Sequence, residues 1–204
     1  MAMLIENSRL EEELKEQRRT TGADQHDEVW DGTYFMPPMA NDDHQEIVAG
    51  FMFVLGASVG VPSLGKVRPG VNLAASAEDW ERDYRVPDVV VFMADTSAEN
   101  HNRFWTGPAD FIVEITSPRD HTYEKLPFYS QIGVRELLIV NQQSWALELY
   151  RHQDGVLQKV AESTLENPEL LSSEKLPLKF RLIAGTMRPQ IEVQHQITDE
   201  RWTI

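Results

Sequence analysis

There is no cysteine in the 204 residues, so the chain can form neither a disulfide nor a thiolate metal centre, and a reducing, cytoplasmic location is expected. Positive charge is scarce: 19 Lys and Arg stand against 33 Asp and Glu, for a formal net charge of −14. Polyanion binders gain affinity through Lys and Arg, and an acidic surface repels phosphate. General, tight, salt-resistant binding of nucleic acid is therefore not expected, although a local groove with a divalent cation can still bring DNA to one place. Long hydrophobic runs are missing as well. The longest nearly apolar stretch, residues 47–61, is broken by Ala49, Gly50, Gly56 and Ala57 and lacks basic flanks, so no membrane span is expected. Residues 1–10 have neither the basic segment nor the apolar core of a secretory signal. With no Gly-x-Ser-x-Gly elbow, phosphate-binding Gly-Lys-Ser/Thr loop or dinucleotide fingerprint, nothing supports a serine hydrolase, a P-loop nucleotidase or a dehydrogenase.

What is present reads as one domain with a short appendage. Residues 4–19 carry Leu4, Leu10 and Leu14 at helical spacing among charges, which predicts a surface helix; residues 1–22 are an appendage and linker, and 23–204 a single domain. Asp31-Gly32 predicts a hairpin turn between Glu28-Val-Trp and Thr33-Tyr-Phe-Met. Asp43 and Glu46 form a capping box that opens a helix with Ile47, Val48, Phe51, Met52 and Leu55 on its buried face, ending near Gly60 or Pro62. Strands are expected over residues 66–73 (interrupted at Pro69-Gly70), 85–93, 111–116, 137–140, 146–150 and 156–160, with a turn at Asp154-Gly155, a helix over 122–132 or one that Pro127 delays to near Leu126, and an edge strand over 178–183. Strands on both sides of an amphipathic helix, with a second helix before them, indicate a helix-covered mixed sheet of α/β (α+β) class.

Three residues stand out chemically. Asp88 opens the apolar run Arg85-Val-Pro-Asp-Val-Val-Val, where a lone Pro-Asp is ordinarily no more than a strand entry. Glu114 lies inside Phe111-Ile-Val-Glu-Ile-Thr-Ser. A carboxylate in so apolar a strand must be ion-paired, metal-bound or neutralised, since burying a bare charge costs several kcal/mol. Lys125 precedes Tyr129 and Ile132 by four and seven residues, so a regular helix puts it on the sheet-facing side, where a lysine by itself would simply snorkel. Together, two acids from neighbouring strands supply the oxygen ligands that Mg²⁺ prefers, and an ammonium beside them can stabilise charge at a phosphate.

Asp31-Gly-Thr-Tyr-Phe-Met, Asn41-Asp-Asp-His-Gln, Val86-Pro-Asp-Val-Val-Val, Phe111-Ile-Val-Glu-Ile-Thr-Ser-Pro, and Lys125 followed by Tyr129-Ser-Gln-Ile-Gly-Val-Arg-Glu-Leu-Leu-Ile-Val occur in that order. In order and spacing the chain resembles the Uma-two family of restriction endonucleases, a branch of the PD-(D/E)XK nuclease superfamily, from about Asp27 to Arg151. The resemblance implies a restriction-endonuclease-like αβββαβ core, about residues 41–151, with an extra N-terminal helix and hairpin and C-terminal strands beyond it. Asp88 then matches the motif's aspartate and Glu114 its second acid, both binding Mg²⁺ or, as a substitute, Mn²⁺, with the backbone carbonyl of Ile115 as a further ligand. The usual lysine would fall at Thr116, and Lys125 matches the one the family carries on the next helix. His44 matches a recurring histidine, either at the site or exposed in a first helical turn, and Glu46 is either a site acid or only a cap. Two departures stand at His121, with Asp120 before it, and at Asn141. His101, Arg103 and Trp105 form either a nucleotide-facing loop or an ordinary surface loop, while His152 and His195 are isolated.

The reading that follows is a metal-dependent endonuclease hydrolysing DNA by an activated water, acting as a homodimer. Two other classes stay open: a non-catalytic interaction or oligomerisation module that keeps the nuclease fold, favoured by the charge of −14, and a hydrolase of smaller phosphate esters.

Overall fold

The computed structural model of the chain describes residues 8–37, 40–117 and 121–204. Helix α1 (Ser8–Thr21) leads into a hairpin of β1 (Glu28–Trp30) and β2 (Thr33–Phe35), followed by α2 (Asp42–Leu55), which runs on as a π-helical turn over Gly56–Gly60. Next come β3 (Gly65–Pro69), β4 (Leu73–Ala74), β5 (Tyr84–Arg85), β6 (Val89–Met93), β7 (Glu99–Asn100), β8 (Trp105–Thr106) and β9 (Phe111–Ile115). A 3-10 turn over Thr122–Lys125 precedes α3 (Leu126–Gln131). The chain then forms β10 (Glu136–Asn141), β11 (Ala146–Gln153), β12 (Val156–Thr164), β13 (Leu171–Ser172), β14 (Leu178–Ile183), β15 (Gln190–His195) and β16 (Arg201–Thr203).

The class is α/β with mixed sheets. The central sheet runs β12-β11-β10-β9-β6-β3, with β9 and β10 parallel and its other pairs antiparallel. A parallel pair needs a crossover, and α3 supplies it. Alternation along β6 and β9 sorts the side chains between two cores. Val89, Val91, Phe111, Val113 and Ile115 face α2, where Ile47, Phe51, Val54 and Leu55 pack against them and against Phe180 and Ile191 of the C-terminal sheet. Val90, Phe92 and Ile112 face the other way, towards Phe128 and Tyr129 of α3 and towards Leu73 and Trp105. Full burial of each such side chain stabilises the fold by about 1.5–3 kcal/mol. Glu114 has the parity of Ile112 and so points into the α3 side.

The short strands β2-β1-β5-β4-β8-β7 make a second sheet on that same side, and β13-β14-β15-β16 make a third behind α2. The hairpin turn is as expected: Asp31 (φ 49°) and Gly32 (φ 85°) both take positive φ, which a two-residue turn with the twist of its strands requires. Asp154 and Gly155 repeat it between β11 and β12. α1 is tied to the hairpin at its C-terminal end, where the Arg18 guanidinium pairs with the buried Asp27 at 2.5 Å and Tyr34 donates to Asp27 at 2.6 Å. No helix among the described residues is long and apolar enough to cross a membrane.

Several sequence expectations are corrected. The cap of α2 is Asn41, not Asp43: its side chain accepts the His44 N–H at 2.8 Å, while Glu46 reaches outwards to Arg188 at 2.6 Å. Residues 85–93 are not one strand, because Pro87 lacks the N–H to continue a ladder; Tyr84–Arg85 joins the second sheet and Val89–Met93 the central one. The interruption of residues 66–73 at Pro69-Gly70, by contrast, is as expected. Of the two expectations for residues 122–132, the delayed helix is the one seen: a 3-10 turn leads to an α-helix that starts at Leu126, and Pro127 falls in its first turn, where its missing donor costs nothing. β14 is an interior strand between β13 and β15, since the alternating Gln190–His195 segment pairs along its whole length.

Candidate active site

The antiparallel register of β6 on β9 pairs Val89 with Val113, and one step further along the same register sets Asp88 opposite Glu114. Opposed residues share a face of the sheet. The sequence therefore presents two acids side by side at the end of the central sheet, under the beginning of α3. Asp88 is held by both oxygens: Oδ2 accepts the Ile115 N–H at 2.7 Å, and Oδ1 lies 2.9 Å from His44 Nε2. The other ring nitrogen of His44 is 3.3 Å from Ser117 Oγ. His44 is thus buried at the mouth of α2 rather than exposed in its first turn, because the Asn41 cap turns its side chain towards the sheet.

Glu114 is 3% exposed. Its Oε1 accepts from Tyr129 Oη at 2.5 Å, and Lys125 Nζ stands 3.0 and 3.3 Å from its two oxygens. Lys125 sits at the junction between the 3-10 turn and α3, so the short helix delivers lysine and tyrosine to the same carboxylate from successive turns. The ammonium has a second anchor that the sequence reading missed: Glu28 Oε1, 2.8 Å away. Glu28 is itself buried, accepting from the Val86 N–H at 2.8 Å and from Trp30 Nε1 at 2.6 Å. Its only sequence signal is a charged residue at the start of an apolar hairpin strand, a pattern shared by most exposed strand ends.

Three carboxyl groups therefore face one ammonium. Carboxyl groups on cross-strand neighbours such as Asp88 and Glu114 repel when both are ionised. Burial is the main force pushing the Glu114 carboxyl up to about 8; Lys125 opposes it, and the charges of Asp88 and Glu28 add to it. For Lys125 burial favours the neutral amine, but Glu114 and Glu28 outweigh it and hold the ammonium well above the usual lysine range. Burial and the neighbouring Glu114 likewise keep the Tyr129 phenol protonated. The cluster is thus short of positive charge at a place lined with carboxylate oxygen, the donor chemistry that suits a hard divalent cation. Among the described residues, no group of three or more His, Cys, Asp or Glu stands ready to hold a metal ion.

Arg85, also unforeseen, is buried beside this cluster, its guanidinium carbon 4.5 Å from the Trp30 ring centre and 4.2 Å from that of Phe128. It clips the hairpin to α3 and donates to the Val29 carbonyl at 3.0 Å.

Other residues singled out in the sequence lie elsewhere. Thr116 is buried, and its hydroxyl accepts the Gln142 N–H at 3.1 Å. Trp105 is core, stacked on Phe92 at 3.8 Å. His101 stacks on Phe104, and Arg103 covers Trp80 and pairs with Glu81. His152 Nε2 lies 3.1 Å from the Ser130 carbonyl, while His195 accepts the Ile197 and Thr198 N–H groups. His121 pairs with Glu124 at 2.8 Å, whereas Asp120 lies outside the described residues. Asn141 accepts the Gln143 and Ser144 N–H groups and so shapes the turn into β11.

A solved structure described as "a putative nuclease belonging to DUF820 from Anabaena variabilis ATCC 29413" resembles the chain in fold, with a TM-score of 0.55 and 17% identity, over 72% of this chain and 80% of that one. No curated protein matches it. The Uma2 family, described as "Putative restriction endonuclease", matches residues 11–185, and the chain belongs to that family.

Proposed function

We propose that the protein is a Mg²⁺- or Mn²⁺-dependent endonuclease that hydrolyses DNA phosphodiester bonds at the Asp88, Glu114 and Lys125 cluster. The observation that supports this reading is that Asp88, just before β6, lies opposite Glu114 of β9 in the register, with Lys125 Nζ, at the start of α3, 3.0 Å from Glu114. In this reading α2, β3, β6, β9, α3 and β10 are the αβββαβ core, with β4, β5, β7 and β8 of the second sheet inserted between its strands and the hairpin before α2, and residues 23–204 are one domain. Asp88, Glu114 and the backbone carbonyl of Ile115 would hold the ion. A divalent cation bound there would supply Lewis acidity and lower the pKa of a water molecule.

The remaining work falls to the chain itself. His44 and the Ile115 N–H orient the Asp88 carboxylate, Tyr129 orients Glu114, and Lys125 offers a positive charge to the scissile phosphate in a site from which water is largely excluded. Acting as a homodimer, two such sites would cut both strands. A second reading, a non-catalytic interaction module, is favoured by the charge of −14, which opposes contact with a polyanion outside the immediate site.

Strand breaks in supercoiled plasmid or single-stranded DNA with Mg²⁺ or Mn²⁺, and none with EDTA, are the expected result for an endonuclease. An absence of breaks under all conditions favours the interaction module. Metal binding is testable apart from cleavage. Calorimetry with Mn²⁺ should show binding that Glu114→Gln weakens at least about tenfold, as loss of one carboxylate ligand would. Equal affinity in the two proteins would remove Glu114 from the ligand set.

A further inference from the structure

Glu28 belongs to the hairpin, not to the central sheet or α3, yet its carboxylate is as close to Lys125 as Glu114 is. We infer that Glu28 is a positioning residue, which holds the Lys125 ammonium in place at the site independently of Glu114. The inference rests on the reading of Lys125 as the cation of a phosphodiester-cleaving site.

Three observations carry it. The carboxylate is oriented before Lys125 is considered, since Oε2 accepts from Trp30 Nε1 at 2.6 Å and Oε1 accepts the Val86 N–H at 2.8 Å. The Trp30 ring is itself fixed, stacked on Phe35 at 4.2 Å on one side and covered by the Arg85 guanidinium at 4.5 Å on the other. Lys125 Nζ then completes the set at 2.8 Å from Glu28 and 3.0 Å from Glu114. A lysine has a long, flexible stem and places its charge only as well as its anchors do. With Glu114 alone, the ammonium would be tied to the very carboxylate proposed to hold a divalent ion. Glu28 gives it an anchor outside that proposed ligand set. The Val86 contact adds a second constraint, since it fixes the main chain two residues before Asp88.

A residue acting through Lys125 has a signature that a merely structural one lacks. Glu28→Gln should lower kcat about tenfold and leave KM within about twofold, and it should cause no further fall when Lys125→Met is already present. An equal fall in both backgrounds, or none in either, would overturn the inference. A second measurement needs no activity. In protein labelled at the lysine side chains, the Lys125 signal, identified by its loss in Lys125→Met, should shift in Glu28→Gln while those of Lys66 and Lys159 stay in place. An unmoved Lys125 signal overturns the inference even if the wild type cuts nothing, a result that would count separately against the proposed activity. Should Glu28→Gln not fold, Trp30→Phe, which keeps the ring but removes the donor to Glu28, should move the same signal in the same direction, and its failure to do so is equally decisive.

Discussion

Replacing Lys125 with methionine is expected to slow DNA cleavage at least about 100-fold, on the order of 3 kcal/mol of transition-state stabilisation, while the protein still folds and binds Mn²⁺. The stem of the side chain is conserved in size, and only the ammonium between Glu28 and Glu114 is lost. Two buried carboxylates without their cation would ordinarily threaten the fold. Here burial already raises the Glu114 carboxyl and the Lys125 charge opposes that rise, so losing the ammonium raises it further and favours uptake of a proton in place of the lost cation. Lys159, an exposed residue of β12 paired with Glu162 at 3.1 Å, is the control and should tolerate the same change. Single-turnover cleavage, circular dichroism and Mn²⁺ calorimetry check the three parts of this expectation. Wild-type cleavage by Lys125→Met would remove the residue from the mechanism.

The largest loss of stability is expected from a residue remote from the site. Glu136 is 1% exposed at the start of β10 and opposes Arg151 in the ladder, where Nε donates to Oε1 at 2.8 Å. Its carboxylate also accepts from the Ser173 hydroxyl and from the Glu174 and Lys175 N–H groups at 3.0 and 3.3 Å. One buried group thereby ties the central sheet to the loop between β13 and β14. Glu136→Ala removes the acceptor of the Ser173 hydroxyl and of the Glu174 N–H, while Arg151 keeps Glu174 and the Ser172 carbonyl and the Lys175 N–H keeps Ser173 Oγ; the cost should be about 3 kcal/mol, the lower end of the range for breaking a buried ion pair by removing one partner. Urea denaturation should show the midpoint falling with the slope unchanged. A loss below about 1 kcal/mol would mean that water replaces these bonds freely and that the loop contributes little to the fold.

What the sequence made legible follows from the range of each interaction. The buried face of α2, the runs of β6 and β9 and the two Asp-Gly turns are local patterns, and all appear in the structure. The pairing of Lys125 with Glu114 also answers the expectation that a carboxylate inside so apolar a strand needs a partner. Glu28, Arg85 and Glu136 were not legible, because each is buried by a segment distant in the chain. Glu28 is covered through Lys125 and Val86, Arg85 through Trp30 and Phe128, and Glu136 through Ser173. A charged residue at a strand end reads as solvent-facing until the covering element is known. The sheet boundary at Pro87 has the same origin, since an extended run does not reveal which neighbour each half will pair with.

The central claim, that Asp88 belongs to a metal-dependent nuclease site, is tested most directly by cleavage of supercoiled plasmid by the wild type and by Asp88→Ala, side by side, in Mn²⁺ and in EDTA. Asp88 meets His44, Ile115 and the Glu114 register position, so its removal takes away a proposed ligand and the partner of His44 together. The account predicts Mn²⁺-dependent nicking by the wild type that EDTA abolishes and that falls at least about 100-fold in Asp88→Ala, as loss of a group essential to transition-state stabilisation does. Nicking at equal rates by both proteins would contradict it.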